Sequence, residues 1–355
     1  MKQQSIESQR GEIEFRKKLV QQQAEGKHVF NDELDAESIE KILYERINKT
    51  LEQMILLKKS GVVLSPYIEI GAERCQRSLV MENDLAAEGA AIDISFDMLK
   101  SCDYYKEVFN RNKVPLRICC DANDLPFMSN SIPFVFCYET LHHFPDPTPI
   151  IEEIHRVLSP GGHFFFDEEP YKKVLHLNLY KGKKVYSKEY LTRNTIKKIF
   201  DYFFSKVSCN EVEHGIIENH DIAISAWKRS LSIFDDKNIA LKSISHINCE
   251  LVNPKHYIKF LLAYLFGGII LGTCRKSGIL RTSDISIYDS IICPSCAKYG
   301  RELKLVKKNF SFFCNACNNN FPIIDGIVFL FSYDKFEELY PELFKKIQQI
   351  KNNLS

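Results

Sequence analysis

The sequence has no excess of charge of either sign: 47 basic residues stand against 46 acidic ones, a formal net charge of +1 over 355 residues. That balance excludes a nucleic-acid protein that relies on bulk basicity. Long apolar runs are also missing. Phe260 to Cys274 is uncharged over 15 residues, short of the roughly 18 to 20 that a spanning helix requires, and Gly267, Gly268 and Gly272 interrupt it. It reads as a buried helix end, a turn at Gly267-Gly268 and a last strand Ile269 to Cys274, with membrane contact as the alternative. The start, Met1-Lys2-Gln3-Gln4-Ser5, leads into charge and not into an apolar segment, so no secretory signal is expected. Internal repeats and low-complexity tracts are absent as well. Cysteine is plentiful, with 12 residues. Without a signal, this points to a reducing, cytoplasmic setting in which close cysteine pairs suggest metal before disulfide. Length gives a prior of about two domains and a core large enough to need no covalent staples.

Four parts are expected: a helical extension over 1–62, a catalytic-type domain over 63–277, a cysteine module over 278–335 and a final helix over 336–355. In the first, Ile39, Ile42, Leu43, Ile47, Leu51, Met54 and Ile55 recur at steps of three and four, predicting an amphipathic helix capped by Asp35 or Ser38. From Leu64 onward the pattern changes to short apolar runs, Tyr67 to Ile70, Ala90 to Ile94, Leu116 to Cys120, Ile132 to Tyr138 and His163 to Phe166. Separated by helical stretches, they predict a doubly wound parallel α/β sheet, with Pro160-Gly161-Gly162 ending the helix before the fifth strand. A helix through Ile196, Ile199, Phe200, Phe203 and Phe204 follows. Residues 171 to 277 carry no motif that identifies an acceptor.

Cys293-Pro-Ser-Cys296 and Cys314-Asn-Ala-Cys317 are two C-x2-C knuckles separated by 17 residues, the spacing of a four-thiolate Zn2+ ribbon. Four thiolates close the tetrahedron, so the metal would be structural. The other cysteines (75, 102, 119, 120, 137, 209, 249 and 274) read as small buried residues. Phe321-Pro-Ile-Ile-Asp325-Gly326-Ile-Val follows the second knuckle. Over about 290 to 332 the sequence resembles the zinc-ribbon activator subunit of tRNA and release-factor methyltransferases. That resemblance implies a module docking on the chain's own catalytic domain or on a protein partner. The module's near-zero charge gives little support to direct nucleic-acid binding.

The ends of the first three predicted strands carry groups suited to one nucleoside. Gly71 allows close backbone approach after Glu69, Asp93 can accept two ribose hydroxyls, and the carboxylate of Asp121 can accept an adenine amino group. With the stretches Asp93 to Leu99, Asp121 to Phe127, Tyr138 to Phe144 and His155 to Gly162 in order, residues 65 to 170 resemble class I methyltransferases that use S-adenosyl-L-methionine, of the type 11-like group. The resemblance implies a Rossmann-like fold, with Glu69 and Gly71 by the methionine moiety, Asp93 on the ribose, Asp121 and Ala122 at the adenine, and Tyr138 beside the cofactor. The chain departs from that family at Glu73 and Cys75, where glycine is usual. His142, His143 and Glu168 are candidate bases at strand ends, set against a purely pocket-shaping role for His142-His143-Phe144 and a charged loop at Glu168-Glu169-Pro170. The expected activity is methyl transfer to an unidentified acceptor. The alternative is a non-catalytic assembly or regulatory partner with a degenerate cofactor loop.

Overall fold

The computed structural model describes residues 5–25, 36–177, 179–184, 189, 192–208, 216–217, 219–243, 246–248, 257–280 and 286–354. Two helices lead the chain, α1 (Ile6–Ala24) and α2 (Ala36–Lys59). Helix α1 begins on a Ser5 cap whose hydroxyl accepts the Ser8 N–H. It was not legible in the sequence, because its apolar positions are few among charged ones. Helix α2 buries Leu43, Ile47 and Met54, the expected stripe. It already includes Ser38, so of the two cap candidates Ser38 is excluded and Asp35 lies outside the described residues.

Five strands form the centre: β1 (Tyr67–Ile70), β2 (Gly89–Asp93), β3 (Leu116–Cys119), β4 (Ile132–Tyr138) and β5 (Leu158–Tyr171). They are parallel, in the order β3-β2-β1-β4-β5, so winding reverses between β1 and β4. Helices α3 (Gln76–Asp84), α4 (Phe96–Lys100), α5 (Cys102–Val108) and α6 (Thr148–Val157) make the crossovers. Every residue of β1 and β4 is buried, as a parallel sheet covered on both faces demands.

The fifth strand differs from expectation. Helix α6 stops at Val157 and Leu158 already starts β5, so Pro160-Gly161-Gly162 lies within the strand. The pairing of β4 with β5 is irregular between Ile132 and Phe134. A Cβ on Gly162 would meet the carbonyls of Pro133 and Ser159 at 2.9 Å. Here the glycine serves close backbone approach at a bulge, a use that a turn-breaker reading of the tripeptide misses.

Past β5 come the small parallel pair β6 (Tyr180–Lys184) and β7 (Ser205–Ser208), with α7 (Thr195–Phe204) between them, then α8 (Ile224–Ser230), β8 (Asp236–Lys242), β9 (His246–Asn248), α9 (Tyr257–Phe266) and β10 (Gly268–Arg275). Strand β10 pairs antiparallel with both β5 and β8. The turn expected at Gly267-Gly268 is present, with φ of +70° and +152°, but the helix end before it is not buried as expected: within α9 only Ala263 is buried, because the described elements pack on one narrow side of the helix. Among the described residues no helix is long and apolar enough to cross a membrane.

The cysteine segment adds β11 (Val306–Lys308), β12 (Ser311–Phe313), β13 (Asn320–Ile324) and β14 (Ile327–Phe329), followed by α10 (Tyr333–Leu339) and α11 (Pro341–Leu354). Asp325 and Gly326, both at positive φ, turn the β13–β14 hairpin as a type I′ pair would. Strand β14 then pairs in parallel with β3, placing Val328 opposite Ile118. One sheet therefore runs from β11 to β9, and Cys293, Cys296 and Cys314 pack in the same apolar core as Ile68 and Val135.

Candidate functional site

The crevice at the carboxyl ends of β1 to β5 holds most of the buried charge. Glu69, next to last in β1, is 2% exposed. Its carboxylate accepts the Ser78 N–H at 2.9 Å and the Ser78 hydroxyl at 2.5 Å. Burial nevertheless pushes this carboxyl up to about 7, although the Arg77 guanidinium and the Ser78 donors oppose it. Gly71 follows at φ +66°, and a Cβ there would meet Thr140 Oγ1 at 2.4 Å. The next loop residues, Glu73 and Cys75, have φ of +46° and +60°. Both hold left-handed backbone despite their side chains, at a cost of about 1–2 kcal/mol each. Glu73 is paired with Arg16 of α1 at 3.1 Å. Its burial would raise it, but Arg16, Arg74, Arg46 and Arg77 hold it at about 2.

At the end of β2, Asp93 accepts the Glu73 N–H at 2.9 Å on one oxygen and the Ser95 N–H at 2.8 Å on the other. Burial lifts it to about 6, against those two N–H donors. Past β3, Asp121 is 4% exposed and accepts from the Asn123 N–H at 2.8 Å and the Gln9 amide of α1 at 2.7 Å. It also pairs with Lys335 of α10. Burial alone would raise its pKa, but Lys335 and these donors bring it below the ordinary carboxylate value. Ala122 is partly buried and packs on the core. A cavity of about 620 Å³, lined by Asp121, Leu125, Arg156, Glu302 and Lys335, opens between this strand end and the cysteine segment. The hydroxyl of Tyr340, opening the turn into α11, donates to the Ile94 carbonyl and accepts the Phe96 N–H, tying the C-terminal helices to the end of β2.

The ends of β4 and β5 carry the candidate bases. Tyr138 is buried, with its hydroxyl donating to Gln53 of α2 at 2.8 Å and the Arg77 guanidinium 4.2 Å over its ring. Burial pushes the phenol well above its ordinary value. Glu168 faces Lys49 of α2 at 2.7 Å and Arg77 at 3.3 Å. His142 is 6% exposed, and its Nδ1 lies 2.9 Å from Glu169. His143 lies with its ring 4.4 Å from that of His142 and its Nδ1 3.1 Å from the Ile217 carbonyl. Glu169, wholly buried, also accepts the N–H groups of Thr140, Leu141 and His142. It holds the β4 loop in place, a role that its position in a charged run gave no means of seeing. Gln9, Arg16, Lys49, Arg77 and Lys335 were likewise missed, since each reaches the crevice from a distant segment or from an otherwise unremarkable helix.

The four knuckle cysteines meet. All four sulfurs lie within 4.8 Å of one another, with Cys293 and Cys317 at 3.5 Å and Cys296 and Cys314 at 3.8 Å. A tetrahedral Zn2+ with bonds of about 2.3 Å places its sulfurs about 3.8 Å apart, so the cluster fits such an ion. Against its burial, the N–H groups of Cys317 and Ala316 pull the Cys314 thiol below its ordinary value, while burial pushes the Cys293 and Cys296 thiols up. Of the remaining cysteines, 75, 102, 119, 120, 137 and 274 are buried, as expected. Cys209 and Cys249 lie outside the described residues.

Comparison with known proteins bears on the crevice. Residues 68–166 match the family model described as a methyltransferase domain. Two chloroplastic proteins of Arabidopsis thaliana, each described as an uncharacterized methyltransferase, are 36% identical over 90 and 77 residues. The matches take in 24% and 21% of this chain and 25% and 22% of those proteins, so the chain spans about a quarter of their length. Among solved structures, the Haloferax volcanii complex of the Trm112 methyltransferase activator with a putative methyltransferase aligns at TM-score 0.38 and 15% identity, covering 68% of this chain and 96% of that one. Phosphoethanolamine N-methyltransferase 2 of Haemonchus contortus, in complex with S-adenosyl-L-methionine, aligns at TM-score 0.41 and 14% identity, covering 65% and 53%. The matched segment runs from Ile68 in β1 to Phe166 in β5 and takes in the acidic strand ends that line the crevice.

Proposed function

We propose that the chain is a methyltransferase dependent on S-adenosyl-L-methionine, acting on an acceptor not yet identified. The observation that carries this reading is the convergence of Glu69, Asp93 and Asp121 at three adjacent strand ends, beside the point where winding reverses. When bound, the cofactor supplies a sulfonium-activated methyl group. Glu69 and the Gly71 backbone would face its methionine moiety, Asp93 its ribose, and Asp121 with Ala122 its adenine, while Tyr138 walls the site. The left-handed backbone kept at Glu73 and Cys75 supports retention of a glycine-like loop despite the substitutions.

His142 is the best-supported base. Glu169 accepts at its Nδ1 and orients the ring, the arrangement by which a carboxylate fixes a histidine tautomer and leaves Nε2 to take a proton. Glu168, engaged by Lys49 and Arg77, and His143 are placed second. The cysteine cluster would hold a structural Zn2+, and pairing of β14 with β3 supports docking of that ribbon on its own catalytic domain. The division at 62, 277 and 335 is proposed as well; of its four parts, those over 63–277 and 278–335 share one sheet.

Calorimetric titration of the full chain with S-adenosylmethionine and S-adenosylhomocysteine tests the reading. Binding of both is expected, weakened at least tenfold by Asp93→Ala. No binding of either at millimolar concentration would refute it in favour of a non-catalytic partner.

A further inference from the structure

The segment that follows β5 is built inside out. In α7 the one buried residue is Asp201, while Ile196 is 78% exposed and Phe200 52%. In α9 the one buried residue is Ala263, while Ile258 is 71% exposed and Leu261 43%. The residues between Tyr171 and β6 add Leu177 and Leu179, at 58% and 68%. These pieces form one body. Leu175 N–H donates to the Leu265 carbonyl, and Leu177 and Leu179 N–H donate to those of Phe203 and Phe204. The rings of Phe203 and Phe266 lie 5.4 Å apart. An apolar patch of this extent on a water-facing surface marks a contact site, and an apolar helix normally finds cover.

The charge around the patch selects what covers it. Residues 171 to 208 hold ten basic side chains and two acidic ones, and α9 adds Lys259 and no acidic residue. The first stretch alone is +8 in a chain whose total is +1, so the rest is −7. Lys172, Lys181, Lys197 and Lys259 are exposed among the apolar residues. Bulky aliphatic side chains interleaved with lysines suit the headgroup boundary of an anionic bilayer, where the apolar face sinks in and each lysine meets a phosphate. A nucleic-acid surface has the lysines but no use for exposed Ile196, Ile258 and Leu179.

We infer that the face built from 172–177, 179–181, α7 and α9 docks on an anionic lipid bilayer, lying in its interface without crossing it, so that the crevice at the end of β5 works close to a membrane surface. Flotation of the full chain with vesicles of phosphatidylcholine, with and without phosphatidylglycerol, tests this. Binding is expected only to the anionic vesicles. A triple K172Q/K181Q/K197Q variant should bind about a hundredfold more weakly, taking about fivefold per lysine. An I196S/F200S/I258S variant should lose binding while keeping its far-ultraviolet circular dichroism. If that variant fails to fold, the lysine variant still decides. Failure to float with anionic vesicles overturns the inference, as does undiminished binding by the lysine variant. RNA binding that the apolar variant retains would assign the face to nucleic acid instead, and a dimer that the apolar substitutions dissolve would assign it to a second copy. Vesicle binding is read without cofactor or catalysis, so its failure leaves the methyl-transfer reading standing, and the reverse.

Discussion

Glu69 offers the sharpest quantitative test of the crevice. Its carboxyl is buried at the end of β1 and titrates at about 7, so in the free protein at pH 6 about one tenth of it is ionised and at pH 7.5 about three quarters. A cationic cofactor facing Glu69 favours the ionised form. Affinity for S-adenosylmethionine is therefore expected to rise about eightfold from pH 6 to 7.5, with release of a proton on binding. Asp93, lifted to about 6, adds to the loss of affinity on the acid side of that window. Glu69→Gln should weaken binding and flatten the rise. The same carboxyl sets an independent stability signature. Because its folded value lies above the unfolded 4.5, its contribution is fully present below pH 4.5 and is lost as pH rises through 7, a loss of about 3 kcal/mol. Glu69→Gln removes that loss, so the variant should match the parent near pH 4 and exceed it by up to about 3 kcal/mol at pH 8 in chemical denaturation. Titration calorimetry in buffers of differing ionisation enthalpy reads the proton release. An affinity that is level from pH 6 to 7.5, or a variant with the parent's slope, would refute the assignment of Glu69 to the cofactor.

Three further outcomes are expected. Metal analysis should find one zinc per chain, and Cys314→Ser should abolish it and expose the remaining knuckle thiols to reagent, since a tetrahedral site rarely survives loss of one thiolate. Zinc-free protein with an unchanged melting temperature would contradict a structural metal. Gly71→Ala should cost about 2–5 kcal/mol by differential scanning calorimetry, combining left-handed strain with a Cβ 2.4 Å from Thr140 Oγ1, and adding Thr140→Ala should recover part of it. Lys335→Met should cost about 3–5 kcal/mol at pH 7, because Asp121 loses its cation while remaining buried. Asp121 is held below its ordinary value in the fold, so its contribution is present above the unfolded value and lost as pH falls. The gap between variant and parent should close below about pH 4.

How much of this was legible follows from the range of each interaction. The runs that became β1 and β4 were readable to the residue, since burial on both faces of a parallel strand demands a mostly apolar run whatever the partners, and Glu69 is the one charged residue in either. The two knuckles announced their cluster because each turn is local and only one long-range meeting was left to occur. Asp93 and Asp121 were legible as strand ends. The residues that tune them were not: Arg16 reaches Glu73, Gln9 and Lys335 reach Asp121, and Lys49 reaches Glu168. Each is one polar residue on a helix that looks like any solvated face.

By itself the sequence determined the winding of the sheet, the acidic strand ends and the four-cysteine cluster, all products of short-range pattern. Tertiary structure decided the rest. It drew Pro160-Gly161-Gly162 into a strand, because pairing with β4 and the N–H donated by Gly161 to the Lys276 carbonyl outweigh a local turn preference. It joined β14 to β3, making the ribbon part of the main sheet. It also set the direction of α7, whose apolar period predicts a helix but not a side. Periodicity records that a face is apolar, and only the neighbours that fold against it determine whether that face is covered.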